Sequence, residues 1–171
     1  MSKNNSFESS KGKKGKKAVI FDLDGTLADT VDPNGHHKEN HEGFRQHIRG
    51  ADANQDMVDK VRKANEKGRD VVILTARSAH YRDTTKKWLN EKGIQYDSLL
   101  MRPINDHRKD KVVKKDLLQN DVLPNFEVKK AYDDKTKNVK MFRSEGIDAK
   151  RVKWKSKNNL SLLSLLQEII V

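Results

Sequence analysis

The stretch Ala18-Val19-Ile20-Phe21-Asp22-Leu23-Asp24-Gly25-Thr26-Leu27 limits the fold more than any other part of the chain. Four apolar residues in a row, Ala18 to Phe21, read as a short strand buried on both faces. The run stops at two acids in alternation. Side chains along a strand repeat every second residue, so Asp22 and Asp24 point the same way. Gly25 lets the chain turn sharply behind them. A buried parallel strand ending in carboxylates delivers them to the carboxyl edge of a sheet, where open α/β folds hold their ligands. Asp-Gly alone is an ordinary turn pair. Preceded by a buried strand and followed by Thr, it becomes a motif with a mechanism.

The remaining chain alternates strand and helix patterns, the sequence form of a parallel sheet with right-handed crossovers. The expected fold is α/β, a Rossmann-like parallel sheet with helices on both faces. Asn54–Lys67 reads as a helix with Met57, Val58, Val61 and Ala64 on one side, stopped by Gly68. Val71–Leu74 is a second buried strand, ending in Thr75-Ala76-Arg77. Tyr81–Lys92 is helical, with Trp88 and Leu89 inward and Gly93 as terminator. Tyr96–Met101 is a third strand, and His107–Asn120 a helix with Val112, Val113, Leu117 and Leu118 at helical spacing. Val128–Tyr132 is a fourth strand, ending in Asp133-Asp134, and Lys135–Glu145 the helix after it. A fifth strand falls near Arg151–Trp154. Leu160–Ile170 reads as a terminal helix whose apolar residues cover more than one stripe, suited to deep packing or to a second subunit and hence a dimer.

Two segments break the alternation. Residues 1–16 are a basic arm of Ser, Asn, Gly and Lys, expected to be disordered, and serve either to solubilise or to touch nucleic acid. Residues 17–171 then form one domain. Within it, residues 28–53 show no apolar period and form an insertion, expected to be a small cap or lid. The insertion holds His36, His37, His41 and His47, without the spacing of a closed zinc site. His41, Phe44 and Arg45 fall on one helical face, with Phe44 as an anchor to the core.

Later strand ends and helix starts carry polar groups where the first carries Asp22 and Asp24. They are Thr75 with Arg77, then Lys114, then Asp133 with Asp134. Each alone is unremarkable. In a parallel sheet all of them gather at one edge, so a hydroxyl, an ammonium and two carboxylate pairs meet. The order of these sets after successive strands resembles that of the haloacid dehalogenase superfamily of phosphohydrolases, over roughly residues 17–154. That resemblance implies a phosphatase with Asp22 as nucleophile, forming an aspartyl-phosphate. It implies that Asp24 is the acid and base, that Thr75 bonds a phosphoryl oxygen, and that Lys114 neutralises its charge. It implies Mg²⁺, held by Asp22, by the backbone carbonyl of Asp24, and by Asp133 or Asp134, directly or through water.

Three further runs narrow the resemblance: Leu99–Pro103, His107–Lys114 (HRKDKVVK) and Ala131–Thr136 (AYDDKT). They resemble the 3′-phosphatase domain of phage-type polynucleotide kinase-phosphatases. The likeness implies a phage or bacterial source, nucleic acid 3′-phosphate ends of DNA or RNA as substrate, and a role in end repair. By the same likeness Arg77 and Arg102 grip phosphate oxygens. Thr26 is also expected to bind substrate, and Arg45 or Arg49 to supply a further arginine from the lid. Asp110, one turn before Lys114, is placed to orient the ammonium. The GxxxxGK[ST] loop of the family's kinase half is absent from this sequence, and Asp32-Pro33 stands near where the family carries a catalytic-site arginine.

Composition sets the remaining bounds. With no cysteine, disulfides and thiolate metal sites are excluded, which fits a cytoplasmic protein. No apolar run approaches a membrane span, and the N-terminus lacks the apolar core of a signal peptide. The net charge of +11 suits a polyanionic partner and equally a well-solvated surface. Three functions stay open: a polynucleotide 3′-phosphatase, a small-molecule phosphatase such as a 5′-nucleotidase, and a non-catalytic nucleic-acid-binding module. The intact acid, hydroxyl and lysine set argues against the third.

Overall fold

The computed structural model describes residues 7–9 (by backbone), 15–30 and 41–154. A six-stranded sheet organises them, in the order β1-β4-β3-β2-β5-β6. Its strands are β1 (Phe7–Ser9), β2 (Lys16–Phe21), β3 (Asp70–Ser78), β4 (Ser98–Arg102), β5 (Phe126–Asp133) and β6 (Ala149–Arg151). The five strands β2 to β6 run parallel, as expected. The helices are α1 (His41–Gly50), α2 (Gln55–Glu66), α3 (Arg82–Glu91), α4 (Asp110–Leu117) and α5 (Thr136–Ser144).

The period-2 rule explains both faces of the central strands. Val19 and Phe21 of β2, Val71 and Ile73 of β3, and Leu99 and Met101 of β4 share one core with Met57, Val61, Trp88 and Leu89 from α2 and α3. Their neighbours Ala18, Ile20, Val72, Leu74 and Leu100 share the other core with Val113 and Leu117 of α4 and with Val139 and Phe142 of α5. Each strand therefore reads as an unbroken apolar run because alternate residues serve opposite layers. The helices after β2 and β3 cover one face, and those after β4 and β5 the other. The reversal falls between β2 and β5, so the crevice at their carboxyl ends is the switch point where such sheets bind ligands.

Two expectations need correction. The arm over residues 1–16 contributes to the sheet: Phe7–Ser9 pairs antiparallel with β4, and Lys16 already belongs to β2. The physical reason is the outer edge of β4, whose open N–H and C=O groups accept an extended segment regardless of its propensity. The insertion over 28–53 shows no apolar period in sequence, yet α1 buries Phe44 and Ile48, one turn apart, beside Ala51. Three apolar residues suffice because α1 lies against α3, where Trp88 donates its indole N–H to the Ala51 carbonyl at 3.0 Å. The remainder of the arm, residues 31–40 of the insertion and the expected terminal helix lie outside the described residues. No helix among the described residues is long and apolar enough to cross a membrane.

Candidate active site

β2 ends at Phe21, and Asp22 continues its pairing by donating its backbone N–H to the Tyr132 carbonyl of β5 at 2.9 Å. The chain then coils tightly. The N–H groups of Leu27 and Ala28 both reach the Leu23 carbonyl at 2.9 Å, and Gly25 takes φ 80° to let them. Leu23 and Leu27 are fully buried and pin this coil to the core. Asp22 and Asp24 line one pocket, together with Thr75, Ser78, Lys114 and Lys135. The edge-gathering expected from the strand order is therefore present.

Lys114 is the centre of the buried half. Its Nζ donates to Asp22 Oδ1 and to Asp133 Oδ2, each at 2.6 Å, and all three side chains are buried. Asp133, fully buried, also accepts from the Lys135 backbone N–H at 2.9 Å and from Asn138 Nδ2 at 3.1 Å. Thr26 is fully buried and donates to Asp22 Oδ2 at 3.0 Å. It fixes the nucleophile candidate and faces no substrate, contrary to the expectation for this residue. Burial pushes the Asp22 carboxyl well above its usual range; Lys114 opposes this, and the Asp133 and Asp134 carboxylates reinforce it. Burial draws Lys114 down, but Asp22 and Asp133 hold it above its usual range.

Asp24 belongs to a second network. Arg77 Nε donates to Asp24 Oδ2 at 3.3 Å and Nη2 to Oδ1 at 2.5 Å, while the Thr30 hydroxyl also donates to Oδ1. Arg77 Nη1 donates to Thr85 at 2.9 Å, and Nη2 reaches Thr30 at 3.2 Å. Burial pushes Asp24 upward, but Arg77 and Thr30 override it and hold the carboxyl below its usual range. Thr75 accepts the Arg77 backbone N–H at 3.0 Å, and its own proton points to Asp24 at a weak 3.5 Å. That hydroxyl is free to turn to another acceptor in the pocket.

The arginines expected on the phosphate are otherwise engaged. Arg77 is buried and committed to Asp24. Arg102 donates to the carbonyls of Ala76 at 2.8 Å, Asp106 at 3.0 Å and Arg108 at 2.6 Å, and to Asp110 at 2.7 Å. Arg45 donates to His80 Nε2 at 2.9 Å, away from the pocket. Asp110, expected to orient Lys114, instead pairs with Arg102 and Lys135. The orienting carboxylates are Asp22 and Asp133, because the ammonium reaches past the first turn of α4 into the sheet edge. Sequence reading missed Lys135, which lines the pocket, along with Asn138, Thr30 and Thr85. Lys135 was legible beside Asp133-Asp134. The other three are common polar residues whose roles depend on tertiary neighbours.

One carboxylate group fits a cation. Asp22, Asp133 and Asp134 each present an oxygen within 4.8 Å of the others. Asp134 Oδ1 is buried with no hydrogen-bond partner. Burial pushes the Asp134 carboxyl above its usual range; the hydrogen bond with Asp22 opposes this, and the Asp133 charge adds to it. An all-oxygen set of crowded acids with one orphan acceptor is the donor chemistry of a hard divalent ion.

A family model described as the polynucleotide kinase PNKP phosphatase domain matches residues 16–155. Among solved structures, the chain is 29% identical to one in a Pnkp1/Rnl/Hen1 complex, covering 91% of this chain and 52% of that one, with a TM-score of 0.70. It is 32% identical to one in the Pnkp1/Rnl/Hen1 RNA repair complex, covering 87% and 48%, with a TM-score of 0.69. The chain thus spans about half the length of these relatives. The class C acid phosphatase from Bacillus anthracis, 21% identical over 75% of this chain and 56% of that one, shares the fold, with a TM-score of 0.53.

Proposed function

The chain belongs to the family of the polynucleotide kinase PNKP phosphatase domain, with a haloacid dehalogenase-type fold, and from that premise we propose that it removes 3′-phosphates from the ends of polynucleotides. The observation that carries the reading is the buried Lys114 bridge between Asp22 and Asp133, in a pocket shared with Asp24 and Thr75. A carboxylate attacking a phosphate dianion meets like charge, and this pocket supplies the opposing cations on both sides.

Asp22 is the nucleophile. Its oxygen attacks phosphorus, and the bond from phosphorus to the sugar 3′-oxygen breaks. Asp24 gives its proton to that leaving oxygen. In the free protein Asp24 is ionised by Arg77, the state required of the base in the second step. Entry of a phosphate dianion beside it raises its proton affinity for the first. Water then attacks phosphorus of the aspartyl-phosphate while Asp24 takes the water's proton, releasing inorganic phosphate and restoring Asp22. Thr75 turns its hydroxyl to a phosphoryl oxygen, and Lys114 with Lys135 offsets developing charge. Arg77 is a positioning residue for Asp24. Asp22, Asp133 and Asp134 would hold Mg²⁺, with Asp134 Oδ1 as its open ligand. That ion would supply charge neutralisation of the phosphoryl oxygens and keep Asp22 ionised.

One relative is named for an RNA repair complex, which supports testing RNA ends beside DNA ends. Turnover is measured on 3′-phosphorylated oligonucleotides, 5′-phosphorylated oligonucleotides and mononucleotides, with Mg²⁺, across ionic strength. The 3′-phosphorylated polymer is expected to be preferred and its kcat/KM to fall steeply with salt, while mononucleotide turnover hardly responds. Equal rates on mononucleotide and polymer at low salt would favour a small-molecule phosphatase instead.

A further inference from the structure

We propose that the groove beside the catalytic pocket seats the 3′-terminal nucleoside, with His80 and Ile104 in contact with its base; this deepens the 3′-phosphatase reading and rests on it. The catalytic pocket encloses about 170 Å³ and has room for the phosphate and little more. It adjoins a cavity of about 940 Å³, the two sharing Phe44, Ser78 and Asp110 as lining. An esterified nucleoside must therefore extend into the larger space.

Two rigid surfaces line that space. One is the short turn Ala79–Tyr81 after β3. His80 is exposed there, but its ring is fixed. Arg45 Nη2 donates to its Nε2 at 2.9 Å, Tyr81 meets it edge-on at 5.2 Å, and His41 lies at 4.5 Å. Burial, His41 and Arg45 all favour the neutral imidazole, which leaves an uncharged π face. The other surface is the loop 103–108 after β4. Ile104 is 42% exposed, an apolar side chain in a polar loop. The loop around it is pinned: Arg102 holds the Asp106 and Arg108 carbonyls, and Asn105 takes φ 65°, the one non-glycine residue with positive φ among the described residues. Asparagine tolerates that conformation better than most residues. The result is a preset flat ring and a preset apolar group in one groove. The two acids lining it, Asp106 and Asp110, are paired to Arg108 and to Arg102 and Lys135. A neutral π face and an aliphatic group beside neutralised acids suit a nucleobase, which stacks regardless of its identity.

A chemical double-mutant cycle tests this. The 171-residue chain with Mg²⁺ is assayed on a 3′-phosphorylated oligonucleotide and on the same strand with an abasic 3′-terminal residue bearing the phosphate. For the unaltered protein, removing the base is expected to lower kcat/KM about tenfold. In His80→Ala and in Ile104→Ala, removing the base should cost about threefold, because one of its two contacts is already gone, and in the double variant almost nothing. His80→Phe should restore the larger factor. Circular dichroism confirms that each variant is folded. If base removal costs the variants the same factor as the unaltered protein, or costs the unaltered protein nothing, the base does not sit there. Equal rates for the unaltered protein on the intact oligonucleotide and on a 3′-mononucleotide at low salt would overturn the polymer reading itself, a result separate from the cycle.

Discussion

Arg77 reaches Asp24 with two nitrogens, Nε at 3.3 Å and Nη2 at 2.5 Å, from the end of the neighbouring strand. Every guanidinium nitrogen of Arg77 is thereby occupied, the third by Thr85. The residue that sequence reading assigns to the phosphate is the one that holds Asp24, the proposed acid-base group, in place and lowers its proton affinity.

Replacing Arg77 with Lys keeps a positive charge and loses the two-pronged grip. The expected outcome is a fall in kcat of about 100-fold with KM nearly constant. The pH-rate profile should also shift to higher pH on its acidic limb, as Asp24 loses the partner that depresses it. A raised KM with kcat preserved would make Arg77 a phosphate ligand after all.

Asp22→Asn is expected to abolish turnover and leave the fold intact, as read by a thermal melt. The variant removes one member of a crowded acid cluster, so its midpoint without divalent ion should not drop. Substantial residual turnover would remove Asp22 from the nucleophile's role.

Lys114→Met leaves Asp22 and Asp133 buried without their shared cation. Breaking a buried pair of this kind costs about 3–5 kcal/mol. Urea denaturation of the metal-free protein measures it. A change below about 1 kcal/mol, the range of a surface pair, would contradict the burial described here.

Mg²⁺ should raise the melting temperature, and more so at higher pH, because the ligands must shed protons to bind. The sign follows from the carboxyls. In the metal-free protein, Asp22 and Asp134 hold protons more tightly than in the unfolded chain. Their contribution to stability is present at low pH and lost as pH rises through their folded values. Asp134→Asn should remove most of the Mg²⁺ response. A full response in that variant would place the ion elsewhere.

Asp106 behaves oppositely. Hydrogen bonds from Arg108 draw its carboxyl down to about 2. Its contribution is present above the unfolded carboxylate range and lost as pH falls from about 4 towards 2. Asp106→Asn should flatten the loss of stability over that window in urea melts. An unchanged slope would show that Arg108 holds Asp106 too loosely to matter.

Much of this was legible in the chain itself. The runs Ala18–Phe21 and Val71–Leu74 announce strands covered on both faces, because apolar side chains at every position cannot otherwise leave water. Gly68, Gly93 and Gly146 mark helix ends, and each takes a positive φ. The candidate site was legible as a place because its members fall at strand ends and helix starts, and parallel topology converts that order into proximity. What the sequence could not contain is the division of labour among charges. Arg77, Arg102 and Asp110 have the right types for phosphate or lysine contacts, yet each is drawn to a partner from another strand or loop, while Thr26 turns to Asp22 within its own coil. Coulomb attraction depends on separation and on the dielectric around the charges, and both are set only when the sheet closes. The same holds for Phe7–Ser9, whose place follows from an open edge on β4, and for Asn138, which becomes a partner of Asp133 only because α5 packs beside the end of β5.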